Sequence, residues 1–178
     1  FTNTTIYSEN FSGQNGKGSV GPTPTTDLTD VNWTVDISGA SLANLDWFQV
    51  QNEVFEGQDL DGDAIWFSPT IDISSHTNIS FSLLAEENGD HEATDKFITE
   101  YRINNGTWIE AETNGNLNDD FTSLTVSQTE LSGNTLEIRV IMNNNVGTEQ
   151  LRLDNILVTG TLLSSNTSVS FKTATLTI

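Results

Sequence analysis

The run from Phe55 to Phe67, FEGQDLDGDAIWF, sets four carboxylates, Glu56, Asp59, Asp61 and Asp63, around one turn that leads into an apolar strand. Alternate acidic side chains beside Gly62 are what a hard, oxygen-preferring cation such as Ca²⁺ requires. Carboxylates this close repel one another unless they stay solvated or share a counter-ion. The loop is therefore expected to be a metal loop, with a solvated acidic turn as the alternative. It is not an EF-hand, because the glycine comes early and no glutamate closes the loop.

The elements around this loop must be strands. Ile79, Phe81, Leu83 and Ala85 alternate with polar residues, as do Phe97, Thr99, Tyr101 and Ile103, and again Leu136, Ile138, Val140 and Met142. Period-two alternation puts each set on one face of a strand. Asn88-Gly89-Asp90, Asn104-Asn105-Gly106, Asn114-Gly115-Asn116 and Ser132-Gly133-Asn134 punctuate the runs as turns. No segment carries a sustained helical stripe. Strands are predicted near 4–11, 31–37, 46–51, 64–73, 78–86, 96–103, 107–112, 120–127, 135–142 and 151–159, with an irregular connection from Gly13 to Asp30. The fold class is all-β: a two-sheet antiparallel β-sandwich of jelly-roll type. Residues 1–160 form that module. Residues 161–178 are read as a linker and the opening strand of a following β domain, or as a final edge strand.

Composition narrows the partners. Among 178 residues there are 25 acidic side chains against 6 lysines and arginines, a formal charge of −19. No basic stripe exists to displace counterions from nucleic acid or to meet an anionic membrane, and neutral glycans remain open. With no cysteine, neither disulfide nor thiolate chemistry is available. No run is apolar and long enough to span a bilayer.

Enzyme signatures are missing. His76 and His91, both expected in loops, stand in no metalloprotease spacing, and no Gly-x-Ser-x-Gly elbow occurs. The glycine-rich GQNGKGS at 13–19 fails the phosphate-loop pattern because Gly18 follows Lys17 where a hydroxyl residue is needed. The chain is read as non-catalytic.

Three stretches, YSENFSG at 7–13, DGDAIWFSPTIDISSHTNISFSLLAEE at 61–87 and LRLDNILVTG at 151–160, resemble the calcium-binding jelly-roll modules of secreted Bacteroidetes proteins. That group comprises the cleaved-adhesin and MAM-like domains and many carbohydrate-binding modules. The resemblance implies a secreted or cell-surface module in a multidomain polypeptide, with Glu9 and Asp154 sharing a structural Ca²⁺ across the first and last strands. It marks the fold better than the ligand.

For the ligand, sugar rings stack on aromatic faces while their hydroxyls bond to amides and carboxylates. Trp33, Trp47, Phe48, Trp66 and Trp108 are the candidate platforms. Trp47 leads, because Asn44, Asp46, Gln49, Gln51 and Asn52 surround it. Trp66, between Ile65 and Phe67, is expected in the core. Trp108 is expected to pack across its hairpin on Tyr101 or Ile103. The binding set is thus Trp47, Phe48, Gln49 and Trp33, for a neutral polysaccharide or cell-surface glycan. The alternative is an adhesion or spacer module that meets a protein or a neighbouring domain. A second acidic group, Glu86, Glu87, Asp90, Glu92 and Asp95, either adds to the Asp59 loop or is a solubilising surface.

Overall fold

The structure, a computed structural model, describes residues 2–22 and 25–163. Among these residues fifteen strands follow one another: β1 Asn3–Glu9, β2 Gly18–Val20, β3 Thr25–Asp27, β4 Thr34–Gly39, β5 Trp47–Gln51, β6 Val54–Gln58, β7 Asp63–Phe67 and β8 Ile71–Asp72. They continue as β9 His76–Asn88, β10 Lys96–Ile103, β11 Ile109–Glu110, β12 Asn116–Asn118, β13 Ser123–Leu131, β14 Thr135–Asn143 and β15 Gln150–Leu162. All pairings are antiparallel, and among the described residues there is no helix.

One sheet has the order β13-β9-β15-β6-β5-β2-β3, with β1 also on β15; the other runs β11-β10-β14-β7-β4, with β12 on β10 and β8 on β14. The two longest strands, β9 and β15, lie side by side at the centre of the first sheet. Because β15 pairs with β6 through residues 150–153 and with β1 through residues 156–161, the first and last strands of the module close on each other.

The three alternating sets point inward as expected. Ile79, Phe81, Leu83 and Ala85 from β9 meet Phe97 from β10 and Leu136, Ile138, Val140 and Met142 from β14 in one core. Toward β5 and β6 the core turns aromatic: Phe11, Trp33, Phe48, Phe55 and Trp66 are all buried, and Phe48 and Phe55 stack edge-to-face with centroids 4.7 Å apart. Each fully buried ring of this size contributes about 2–3 kcal/mol by leaving water.

Several expectations shift. The segment 64–73 is two strands, because Ser68 and Pro69 interrupt it and Pro69 has no N–H to offer a ladder. The Gly13–Asp30 connection contains β2 and β3, too short and too polar to show periodicity. β6 was hidden by Glu56 and Gly57; a Cβ on Gly57 would lie 2.9 Å from Leu60 Cδ1, so the glycine is there for close packing. β15 runs two residues past the expected boundary at 160, and residues 164–178, which hold the rest of the expected linker and strand, lie outside the described residues.

Candidate functional site

In β5 the alternation sends Phe48 and Val50 into the core and Trp47, Gln49 and Gln51 outward. Sheet register then builds a row across four strands: Asn88 of β9 opposite Gln150 of β15, Gln150 opposite Gln58 of β6, and Gln58 opposite Trp47 of β5. Side chains link along it, Asn88 Nδ2 donating to Gln150 Oε1 at 2.6 Å and Gln150 Nε2 to Gln58 Oε1 at 3.1 Å. A parallel row sets Ser123, Glu86, Arg152, Glu56 and Gln49 side by side. Here Glu56 accepts from Arg152 Nε at 2.6 Å and from Trp47 Nε1 at 2.9 Å. The outward side chains of this sheet therefore form a pre-arranged lattice of amides and carboxylates beside a half-buried indole, in which Glu56 and Gln58 are themselves covered, at 7% and 8% exposed, and Asn88, Gln150, Gln49 and Trp47 reach the surface. Trp47's polar edge is fixed by Glu56.

Two expected platform residues are corrected. Phe48 is 0% and Trp33 1% exposed, so neither ring presents a face to a ligand. Trp33 instead donates from Nε1 to Gln14 Oε1 at 2.8 Å and packs edge-on to Phe55. Apolar neighbours of Trp33 in three dimensions, not in sequence, decide this. Trp66 is buried as expected. Trp108 does not rest on Tyr101 or Ile103. It lies on the outer face of the second sheet, 6.1 Å from Phe67, with the guanidinium carbons of Arg102 and Arg139 at 4.6 and 4.5 Å from its ring. Tyr101 faces the core, against Phe81.

The acidic loop is corrected too. Glu56 belongs to the Arg152 pair just described, and Asp63 meets Lys96 Nζ at 2.9 Å and Asn143 Nδ2 at 2.7 Å. Asp61 is exposed. Burial pushes the Asp59 carboxyl above its ordinary range, with Asp46 and Asp61 adding to the effect. The loop's shape comes from Asn144, which is fully buried. Its backbone oxygen accepts from Leu60 and Asp61 N–H at 2.9 and 3.0 Å, and its Nδ2 donates to the Gly57 carbonyl at 3.2 Å. Hydrogen bonds to an asparagine, and two cationic partners, do the work expected of an ion, and the four carboxylates are not gathered into one ligand set.

Glu9 lines a cleft of about 280 Å³ with Ser8, Asn10, Asn155, Ile156 and Leu157; Asp154 precedes that stretch in β15 and is not part of the lining. Glu9 Oε1 accepts the Phe11 N–H at 2.7 Å and Gln14 Nε2 at 2.9 Å. Asp154 sits where β15 bulges, before Asn155 at φ 51°, and its Oδ1 is buried without a hydrogen-bond partner. Burial raises the Asp154 carboxyl above its usual range; the Asn155 backbone N–H opposes this, and the Glu86 and Glu9 carboxylates reinforce it. The orphaned oxygen leaves the Asp154 carboxylate short of a partner, but among the described residues Glu9, Glu86 and Asp154 do not bring three ligand atoms within 4.8 Å of one another.

The fold has a solved counterpart. The chain superposes on the K3 cleaved adhesin domain of Lys-gingipain from Porphyromonas gingivalis with a TM-score of 0.51 and 8% identity, over 89% of this chain and 99% of that one. TmCBM61, solved in complex with beta-1,4-galactotriose, gives a TM-score of 0.42 at 6% identity, over 71% of this chain and 81% of that one. A cyclase from Fischerella sp. gives 0.36 at 17%, over 92% and 89%. No family model matches the sequence, and no curated protein matches it. At such identities the likeness to the adhesin domain extends to the fold, and it bears out the two-sheet jelly-roll reading.

Sequence reading also missed one group. His76 opens β9, half-buried, but His91 is 3% exposed and lies against Asp95 and the distant Glu149. The only local signal was the His-x-x-x-Asp spacing of His91 and Asp95; Glu149 enters through the fold alone.

Proposed function

We propose that this domain is a non-catalytic binding module that holds a secreted or cell-surface protein to a neutral polysaccharide or cell-surface glycan. The observation that carries the reading is the row Asn88, Gln150, Gln58 and Trp47. Planar amides already ordered by one another and a fixed indole match the hydroxyls and the apolar face of a sugar ring, with little side-chain entropy left to lose on binding. Gln49, one row away, extends the same face. The formal charge of −19 favours an uncharged polymer.

Ca²⁺ is proposed at Glu9 and Asp154, where it would neutralise the raised Asp154 carboxyl and tie β1 to β15. Its role there is structural, stiffening the seam at which the module closes.

Affinity electrophoresis through gels cast with neutral polysaccharides tests the sugar reading. Retardation of the wild type should be lost in Trp47→Ala, with an unchanged melting temperature as control for folding. Retardation equal in both proteins rejects the Trp47 face.

One observation favours a second reading, an adhesion or spacer module that meets a protein or a neighbouring domain of the same polypeptide. Trp108, with Arg102 and Arg139 over its ring, places on the opposite sheet the residue types that anchor protein interfaces. A saturable protein partner released by Trp108→Ala, beside a glycan array without hits, selects it.

A further inference from the structure

We propose that His91, Asp95 and Glu149 form a binding site for a divalent transition-metal ion of the zinc class, buried between the β9–β10 and β14–β15 connections. The three residues are 3%, 2% and 3% exposed, and each offers one ligand atom within 4.8 Å of the other two. A zinc ion bound at about 2.0–2.2 Å needs its ligand atoms about 3.3 Å apart. Small side-chain rotations cover the difference.

The site is built rather than incidental. His91 is anchored through its N–H to Asp120 Oδ1 at 2.9 Å, and Asp95 through its N–H to the Glu92 carbonyl at 2.8 Å. Glu149 donates its N–H to the Val146 carbonyl at 2.9 Å and accepts Asn144 Nδ2 on its own carbonyl at 3.0 Å. The two connections touch at Gly89, whose φ is +120° and whose Cβ, if it had one, would lie 2.8 Å from Glu149 Cγ. Only glycine permits that approach.

What points to an occupant is the unspent polar chemistry inside. Among the described residues Glu149 Oε2 is buried and has no hydrogen-bond partner, a state that costs free energy unless something else satisfies it. Charge argues in the same direction. The imidazole has Asp95 Oδ2 3.1 Å from Nδ1 and Glu87 Oε2 3.7 Å from Nε2, so three covered carboxylates, Glu87, Asp95 and Glu149, surround one histidine. The neighbouring Lys96 is committed to Asp63. Even a protonated imidazole leaves negative charge in excess, and a dication removes it. Burial, then Asp95 and Glu92, holds the Glu149 carboxyl above its usual range.

The donor set selects the metal. Calcium takes oxygen ligands in large number, whereas one imidazole nitrogen with two carboxylates suits zinc and its neighbours. With Nδ1 turned to the ion, Nε2–H faces Glu87, the carboxylate that orients the ring; Glu87 is itself held by the Thr122 N–H at 2.9 Å on its other oxygen. Binding displaces any proton shared between Asp95 and Glu149 into solvent and changes no oxidation state.

The test uses tag-free, chelator-stripped protein titrated with ZnCl₂ and, separately, CaCl₂. Calorimetry should give one zinc per chain and a higher melting temperature, and NMR of the imidazole nitrogens should show His91 Nδ1 shifting on zinc addition. Glu149→Gln, which keeps shape and removes charge, should weaken zinc by about tenfold or more while the metal-free protein melts no lower than wild type. Asp95→Asn is the second variant, and His76→Ala the control that leaves affinity unchanged. The proposal is overturned by zinc binding equally to wild type and Glu149→Gln, by calcium displacing zinc from the cluster, or by no saturable zinc binding at all.

Discussion

The Asp59–Asp63 loop and the His91–Asp95–Glu149 cluster use the same carboxylate chemistry and differ in what faces it. In the loop, Lys96 and Asn143 meet Asp63, Arg152 takes Glu56, and Asp61 stands in water. In the cluster, two carboxylates are 2–3% exposed, and among the described residues no lysine or arginine is paired with them and Glu149 Oε2 lacks a hydrogen-bond partner. Dense spacing in sequence therefore identifies a place where most of the charge is already answered, Asp59 excepted. The unanswered charge is assembled from two connections far apart in the chain. Electrostatic demand is set by burial and counter-charge, not by local density of aspartate.

Asn144 touches both regions and gives the comparison its most severe test. Its side chain bonds to Leu60 N–H, to the Gly57 carbonyl and to the Glu149 carbonyl, all inside the protein. Asn144→Ala removes the side-chain donor from the buried Gly57 and Glu149 carbonyls, while Leu60 N–H keeps the residue's backbone oxygen, and should destabilise the fold by about 2 kcal/mol, read by urea denaturation. It should also abolish zinc binding by releasing Glu149. A loss below about 1 kcal/mol would show that hydrogen bonds to this asparagine do not shape the loop.

Next in size is the pH response of the metal-free protein. Glu149, Asp59 and Asp154 are raised above their ordinary values, in each case chiefly by burial. A raised carboxyl binds its proton more tightly folded than unfolded, so its contribution is present at low pH and is lost as pH climbs through the folded-state value. Asp27, held down to about 2 first by the Thr29 backbone N–H and then by Lys17, acts oppositely, and so do Asp36 and Asp72 through the backbone and hydroxyl of Ser38 and Ser74. Their contribution is present above the usual aspartate value and disappears in stronger acid. Melting temperature should thus peak in mild acid and decline toward neutrality. Glu149→Gln should flatten that decline, and saturating zinc should flatten it in wild type alone, leaving in both proteins the share that Asp59 and Asp154 carry. An identical decline in both proteins would mean that Glu149 carries no unanswered charge.

The sandwich was legible because strands that bury one face must alternate, and β9, β10 and β14 do so over most of their lengths. β2, β3 and β12 were not, being three residues each and too short for any period to register. Of the candidate sites, Trp47 could be singled out because its polar neighbours are adjacent in sequence. Its partners Gln58, Gln150 and Asn88 could not, since they reach it only through sheet register. Phe48 and Trp33 failed as platforms for the same reason: what buries an aromatic ring is the opposite sheet. Glu149 and His91 lie on either side of a long-range closure that no local spacing encodes.

Lys96 supplies the smallest effect and the sharpest discrimination. Its side chain is 31% exposed and that of Asp63 43%, so solvent screens the pair and Lys96→Met should cost only about 0.5 kcal/mol. The variant leaves Asp63 beside Asp59 and Asp61 with Asn143 as its remaining polar partner. If the loop is shaped by Asn144, millimolar calcium will not recover more than that small loss, because the loop carboxylates do not gather three ligand atoms within 4.8 Å of one another. Recovery well beyond wild type on adding calcium would mean that Lys96 merely substitutes for a cation. The two acidic regions would then be one kind of site, differing only in which positive charge each has taken.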